Sequence, residues 1–93
     1  MANNPSASKR ILVTERNRLQ NRFYKSSVRT LVKLFSQQLE IYQNSQNLDD
    51  KIKAQKILNS AYSMIDKSYK RNVFHKNTAA RKKSKLAARF KAI

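Results

Sequence analysis

Arginines and lysines at helical spacing are the residues here whose types and intervals can do chemistry, and that chemistry is the neutralisation of phosphate. Arg18, Arg22, Lys25, Arg29 and Lys33 step by 4, 3, 4 and 4. At about 100° per residue these five fall within one sector of roughly 80° on a helix. Arg81, Lys85 and Arg89 repeat the device at i, i+4 and i+8, with Lys82 at the edge of that stripe. Ordinary solvated helix faces mix signs so that i, i+4 pairs form. Stripes of one sign read instead as sites for a polyanion.

The charge is split by position. Residues 1–33 carry eight Lys/Arg and one acid, Glu15, a net of +7. Residues 34–66 net −1, and residues 67–93 carry ten Lys/Arg and no acid, a net of +10. The whole, +16 on 93 residues, repels itself unless a partner of opposite sign neutralises it. Two basic ends flanking a neutral middle suggest a small core that presents two surfaces to RNA or DNA.

Other chemistries find little support. His75 is the only histidine, the five acids are scattered, and Asp49-Asp50 is their only pair. A helix start explains that pair without catalysis. With no cysteine there is no disulfide framework and no thiol zinc site. With no glycine, phosphate loops, nucleophile elbows and dinucleotide fingerprints are absent outright. The chain is not expected to be an enzyme, to bind a metal or to need a cofactor. His75 itself stands between two readings, a turn residue that packs or caps locally, and a phosphate or base contact made with Lys76.

These residues need helices to position them. Tyr24, Val28, Leu31, Phe35, Leu39 and Tyr42 step by 4, 3, 4, 4 and 3, a core stripe centred about 120° from the first basic stripe. The spacing predicts a helix near residues 8–43, capped by Ser6 or Ser8. Upstream of Phe23 the apolar stripe fades, so the early part of this helix reads as an arm beyond the core. Asn44-Ser45-Gln46-Asn47 is a polar break, after which Leu48-Asp49-Asp50 looks like a helix start with Asp49 as cap and Leu48 as a staple. Ala54, Ile57, Leu58, Ala61, Ile65 and Tyr69 form the second core stripe, ending at Lys70-Arg71-Asn72 with Asn72 at a left-handed C′ position. A third helix beginning at Asn77 or Thr78 places Ala79, Leu86, Phe90 and Ile93 on one face, interrupted by Lys83.

The expected fold is all-α: a three-helix up-down-up bundle whose long N-terminal helix extends beyond the core. Residues 1–93 read as a single helical domain, with residues 1–7 extended or disordered unless RNA is bound. Apolar residues at 40% with eight aromatics are too many for a disordered basic tail. The longest apolar run, Ile11-Leu12-Val13, is far short of the roughly 18 residues that span a bilayer. The start shows neither a secretory h-region nor a long Arg/Ser-rich presequence, so the expected place of work is the compartment of synthesis. Most aromatics read as core; Phe23 lies off the main apolar stripe.

Three segments resemble a known family: Ala2 to Arg10, Ser27 to Lys33, and above all His75-Lys76-Asn77-Thr78-Ala79-Ala80-Arg81-Lys82-Lys83-Ser84-Lys85-Leu86. They are similar to bacterial-type small-subunit ribosomal protein twenty, across nearly the whole chain. The resemblance implies a three-helix bundle that binds small-subunit rRNA directly during assembly, in the 5′ domain, and touches the long penultimate stem near the 3′ end. By matched position it implies contacts from Lys9, Arg10, Arg22, Arg29, Lys33, His75, Lys76, Asn77, Arg81, Lys82, Lys83 and Lys85. The stripes and the arm add Arg16, Arg18, Lys25 and Arg89 to the expected rRNA-binding set. Where the family commonly has Lys-Gly before the apolar pair preceding His, this chain has Arg71-Asn72, and the turn should survive with some loss of stability. A middle rich in Asn, Gln, Ser, Ile and Tyr looks like an organelle-encoded plastid member, working in a ribosome of the plastid stroma; a bacterial cytoplasm is the alternative.

The expected partner is rRNA, with few protein contacts, no membrane and no homo-oligomer. The mechanism expected is a clamp in which the core holds two separate basic stripes apart, each on a different RNA segment. Its rivals are a nucleoid-type or helix-turn-helix DNA-binding protein and a membrane-active amphipathic helix.

Overall fold

The computed structural model describes residues 5–93, and their regular elements are three α-helices: α1 Pro5–Ser45, α2 Leu48–Lys70 and α3 Lys76–Lys91. The all-α, three-helix architecture expected from periodicity is the one observed. At about 1.5 Å per residue, the 41 residues of α1 span roughly 60 Å. They set the long dimension of a body measuring 64 × 21 × 14 Å.

No residue after Pro5 removes a backbone donor or adds glycine freedom, so nothing in α1 stops helix growth until Ser45. The helix takes in Pro5 to Ala7, which were expected to be extended or disordered unless RNA is bound, and proline's fixed φ suits a first turn. Ser6 and Ser8 therefore lie inside the helix rather than capping it, and residues 1–4 fall outside the described residues.

Two residues join α1 to α2. Gln46 turns left-handed at φ 55°, and its N–H closes on the Tyr42 carbonyl at 2.8 Å. Asn47 then caps α2, its side-chain oxygen accepting from the Asp49 N–H at 3.0 Å. The cap is thus two residues earlier than expected, and Asp49 and Asp50 occupy the first turn, where their charge favours the helix dipole. Gln38 fastens the hairpin by donating to the Asp50 carbonyl at 3.0 Å, and the Ser45 hydroxyl donates to the Asp50 carboxylate.

At its other end α2 closes as sequence predicts. Asn72 is left-handed at φ 61°. The Val73 N–H reaches the Ser68 carbonyl at 2.8 Å and the Asn72 N–H reaches Tyr69 at 3.0 Å, the paired bonds of a Schellman end.

The core is built from Val28, Phe35 and Leu39 of α1, Ala54, Leu58, Ala61 and Ile65 of α2, and Ala79 and Leu86 of α3. Along α2 the buried positions alternate small and large: Ala54, Leu58, Ala61, Ile65, Ser68. Small side chains every seven residues leave holes that α1's larger ones fill. The last of these positions is a correction. Tyr69 was expected to face inward, yet it is 45% exposed, while Ser68 is fully buried with its hydroxyl bonded to the Met64 carbonyl at 2.8 Å. Alternating steps of 4 and 3 lead to 68, and the hydroxyl is satisfied by its own helix, so polarity does not bar it.

Both α1 and α3 pack chiefly on α2. Val28 is the first buried residue of α1 among those described, so the helix upstream of Phe23 projects as an arm. No described helix is long and apolar enough to cross a membrane.

Candidate nucleic-acid interface

All five residues of the α1 stripe, Arg18, Arg22, Lys25, Arg29 and Lys33, are exposed. They extend over about 22 Å of helix. Arg18 is held by Glu15 in an exposed ion pair at 2.9 Å, a contact of small energetic weight in water. Lys9, Arg10 and Arg16 are exposed along the arm. Lys9 lies about 24 Å from Lys25 along the helix axis.

The relation between the stripes differs from the expected one. α3 runs parallel to α1 and leaves a groove beside it. Lys25, Val28, Arg29 and Val32 of α1 line one hollow of that groove together with Phe74 and Lys82. The Lys82 ammonium stands 5.2 Å from the Phe74 ring centre, a cation–π contact that keeps the charge on the groove's rim. Further along, the Arg89 guanidinium lies 5.9 Å from the ring of Phe35, which also meets Phe90 at 6.4 Å. Lys82 and Arg89, the near edge of the α3 stripe, therefore adjoin the α1 stripe along one groove instead of being held apart from it by α2. Arg81 and Lys85 stay exposed on the outer flank of α3. The helix spacing turns them about 100° and 60° further from the core direction than Lys82.

Lys83 is not on this face. Its ammonium pairs with Asp66 of α2 at 3.1 Å and sits 5.4 Å from the Tyr62 ring. It fastens α3 to α2. This is the polar interruption noted in the third core stripe, answered by a carboxylate seventeen residues earlier.

His75 is the cap of α3, which starts at Lys76, one residue before the earlier of the two expected positions. Its Nδ1 accepts the Asn77 N–H at 3.1 Å, so the local capping role is the one seen. The ring is exposed, as are Lys76 and Asn77 beside it. No described acid lies in the first turn of α3, so three polar side chains and a positive helix end face solvent together.

Arg71 lies on a different face from the α1–α3 groove and was not among the expected residues. It lines a hollow at the base of the arm with Arg16, Leu19 and Phe23. The signal was present: a two-residue hairpin fixes the antiparallel register, so the C-terminal end of α2 must come down beside residues 22–24. No group of His, Cys, Asp and Glu among the described residues could hold a metal ion.

The acids Glu40, Asp49 and Asp50 gather toward the α1–α2 hairpin, away from the arm and from the start of α3. A long basic groove whose carboxylates gather at one end, apart from Glu15 paired with Arg18 on the arm, suits an extended polyanion better than a small ligand.

Comparison with known proteins agrees with this chemistry. The family described as Ribosomal protein S20 matches residues 2–91. Small ribosomal subunit protein bS20c of Trieres chinensis is 69% identical over 91 residues, covering 98% of each chain. The bS20c of Phaeodactylum tricornutum is 68% identical with the same coverage. Small ribosomal subunit protein bS20 of a Picosynechococcus species is 54% identical, over 98% of this chain and 92% of its own. With the match running from residue 2 to residue 91, the chain belongs to the ribosomal protein S20 family.

Proposed function

We propose that this small-subunit ribosomal protein binds small-subunit rRNA directly and holds two stretches of it together during assembly. Its part in the ribosome is structural, not enzymatic. The observation that supports direct binding best is the convergence of Lys25 and Arg29 on α1 with Lys82 on α3 around one hollow. Cations from two helices that run parallel can follow one RNA backbone, and the outer pair Arg81 and Lys85 can take a second beside it. The contacts are to phosphate and A-form shape, since side chains cannot read RNA's deep major groove. Lys9, Arg10 and Arg16 add further cations on other faces of the arm.

The two RNA stretches proposed are one in the 5′ domain and the long penultimate stem near the 3′ end. They would lie side by side along the α1–α3 groove, a closer arrangement than two surfaces on opposite faces. The high identity to the two bS20c proteins supports a plastid ribosome as the place of work.

Binding of the full chain to a small-subunit rRNA transcript, measured against potassium chloride concentration, tests this. Each phosphate contact releases counterions, so log affinity should fall steeply and linearly with log salt. Equal affinity for random duplex DNA would favour the DNA-binding reading. Footprints of an Arg81→Gln, Lys85→Gln variant should lose protection in one rRNA segment only. Loss in both segments together would refute the bridging arrangement.

A further inference from the structure

We propose that Phe23 is a base-stacking residue, on which an unpaired rRNA nucleotide lays its base while the neighbouring arginines hold the flanking phosphates. The proposal rests on the rRNA-binding reading and gives the arm a contact that is not a phosphate contact.

Phe23 is 60% exposed, the most open of the eight aromatic rings. Tyr69, the next most open, has a hydroxyl that justifies contact with water; a phenyl ring has none. Leu12, Arg16, Leu19 and Phe23 follow one another at steps of 4, 3 and 4, so the exposed stripe is apolar with a guanidinium set into it. Phe23 is the wall shared by two hollows. One includes Leu19 and Arg22, the other Leu19, Arg16 and Arg71. The Tyr24 ring meets Phe23 nearly perpendicularly at 5.5 Å and steadies it at the point where the arm leaves the core.

The charges decide what covers this ring. Three arginines surround it, and the one carboxylate lining the hollows, Glu15, is already paired with Arg18 at 2.9 Å. The occupant must bring a flat apolar face and negative charge within a few ångströms of each other. A single unpaired nucleotide carries both, and such bases are the ones proteins stack on aromatic side chains. A protein helix would need an apolar face with acids placed to meet three arginines on two elements.

The test uses the full chain and a small-subunit rRNA transcript, comparing Phe23→Leu and Phe23→Trp with the unmodified protein. The Leu variant keeps the apolar bulk but not the π-face, so affinity should fall roughly tenfold with the salt slope unchanged, because no phosphate contact is lost. The Trp variant should bind as well as the unmodified chain or better. Irradiation at short wavelength should join the peptide containing residue 23 to one nucleotide, and that nucleotide should react with base-edge probes in free RNA. Full affinity in the Leu variant overturns the proposal, and so does a crosslink to a paired base. A Leu variant that binds RNA normally but loses a neighbouring subunit protein overturns it too, and makes the face a protein contact. If the unmodified chain does not bind the transcript, the rRNA reading itself fails and takes this with it.

Discussion

Arg89 holds its guanidinium 5.9 Å from the ring of Phe35, so the basic edge of α3 rests on the most buried side chain of α1. Core and proposed RNA-facing surface share that ring. Phe35→Ala should destabilise the protein by about 3–5 kcal/mol, the usual cost of emptying a buried phenyl site. Urea unfolding followed by circular dichroism measures it. On a domain whose whole stability is on the order of 5–15 kcal/mol, that loss should also weaken RNA binding. A variant that unfolds earlier yet binds RNA with native affinity would show the groove to be independent of the core.

Lys82 and Lys83 are neighbours in sequence with different tasks. Lys82→Gln should weaken rRNA binding uniformly and reduce the salt slope by about one phosphate. Lys83→Gln should leave that slope alone and cost at most about 1 kcal/mol of stability, since its pair with Asp66 is exposed. Equal slopes for the two variants would contradict the placement of Lys83.

Gln46 and Asn72 both stand at left-handed φ with side chains where glycine would fit without strain. Gln46→Gly should raise stability by roughly 0.5–1 kcal/mol, and Asn72→Gly by less, because asparagine tolerates that region better. Thermal melts ranking Asn72→Gly above Gln46→Gly would contradict this account of the two turns.

His75→Ala removes the cap of α3 and should cost about 1 kcal/mol, whereas His75→Asn restores an acceptor for the Asn77 N–H. If RNA affinity returns with asparagine, capping is what His75 supplies to binding. If stability returns and affinity does not, the ring itself touches RNA.

The helices, the core stripe of α1 and the turn at Asn72 were legible because their signals are local: a period of 3.6 and one residue tolerant of positive φ. What was not legible depends on partners. Tyr69 outranks Ser68 in apolarity, yet the seven-residue rhythm of Ala54 and Ala61 leads to Ser68. Asp49 and Asn47 are both good caps, and the left-handed Gln46 before Asn47 decides between them. That Lys83 meets Asp66, and that the near edge of the α3 stripe adjoins the α1 stripe, follow from how far α1 and α3 are rotated on α2. Side-chain volumes set that rotation, and no single segment displays it. Arg71 was readable in principle from hairpin register, and Phe23 showed only that it did not fit the core stripe.

The narrowest extent of the backbone, 14 Å, is about that of two packed helices. A slab this thin has almost no depth in which to hide an error. Every packing residue lies one side chain away from a surface that meets solvent or nucleic acid. A methyl group added inside must therefore shift something outside. On the proposed reading, bound RNA would act as an external mould, and the shapes it accepts would limit which cores the chain can use.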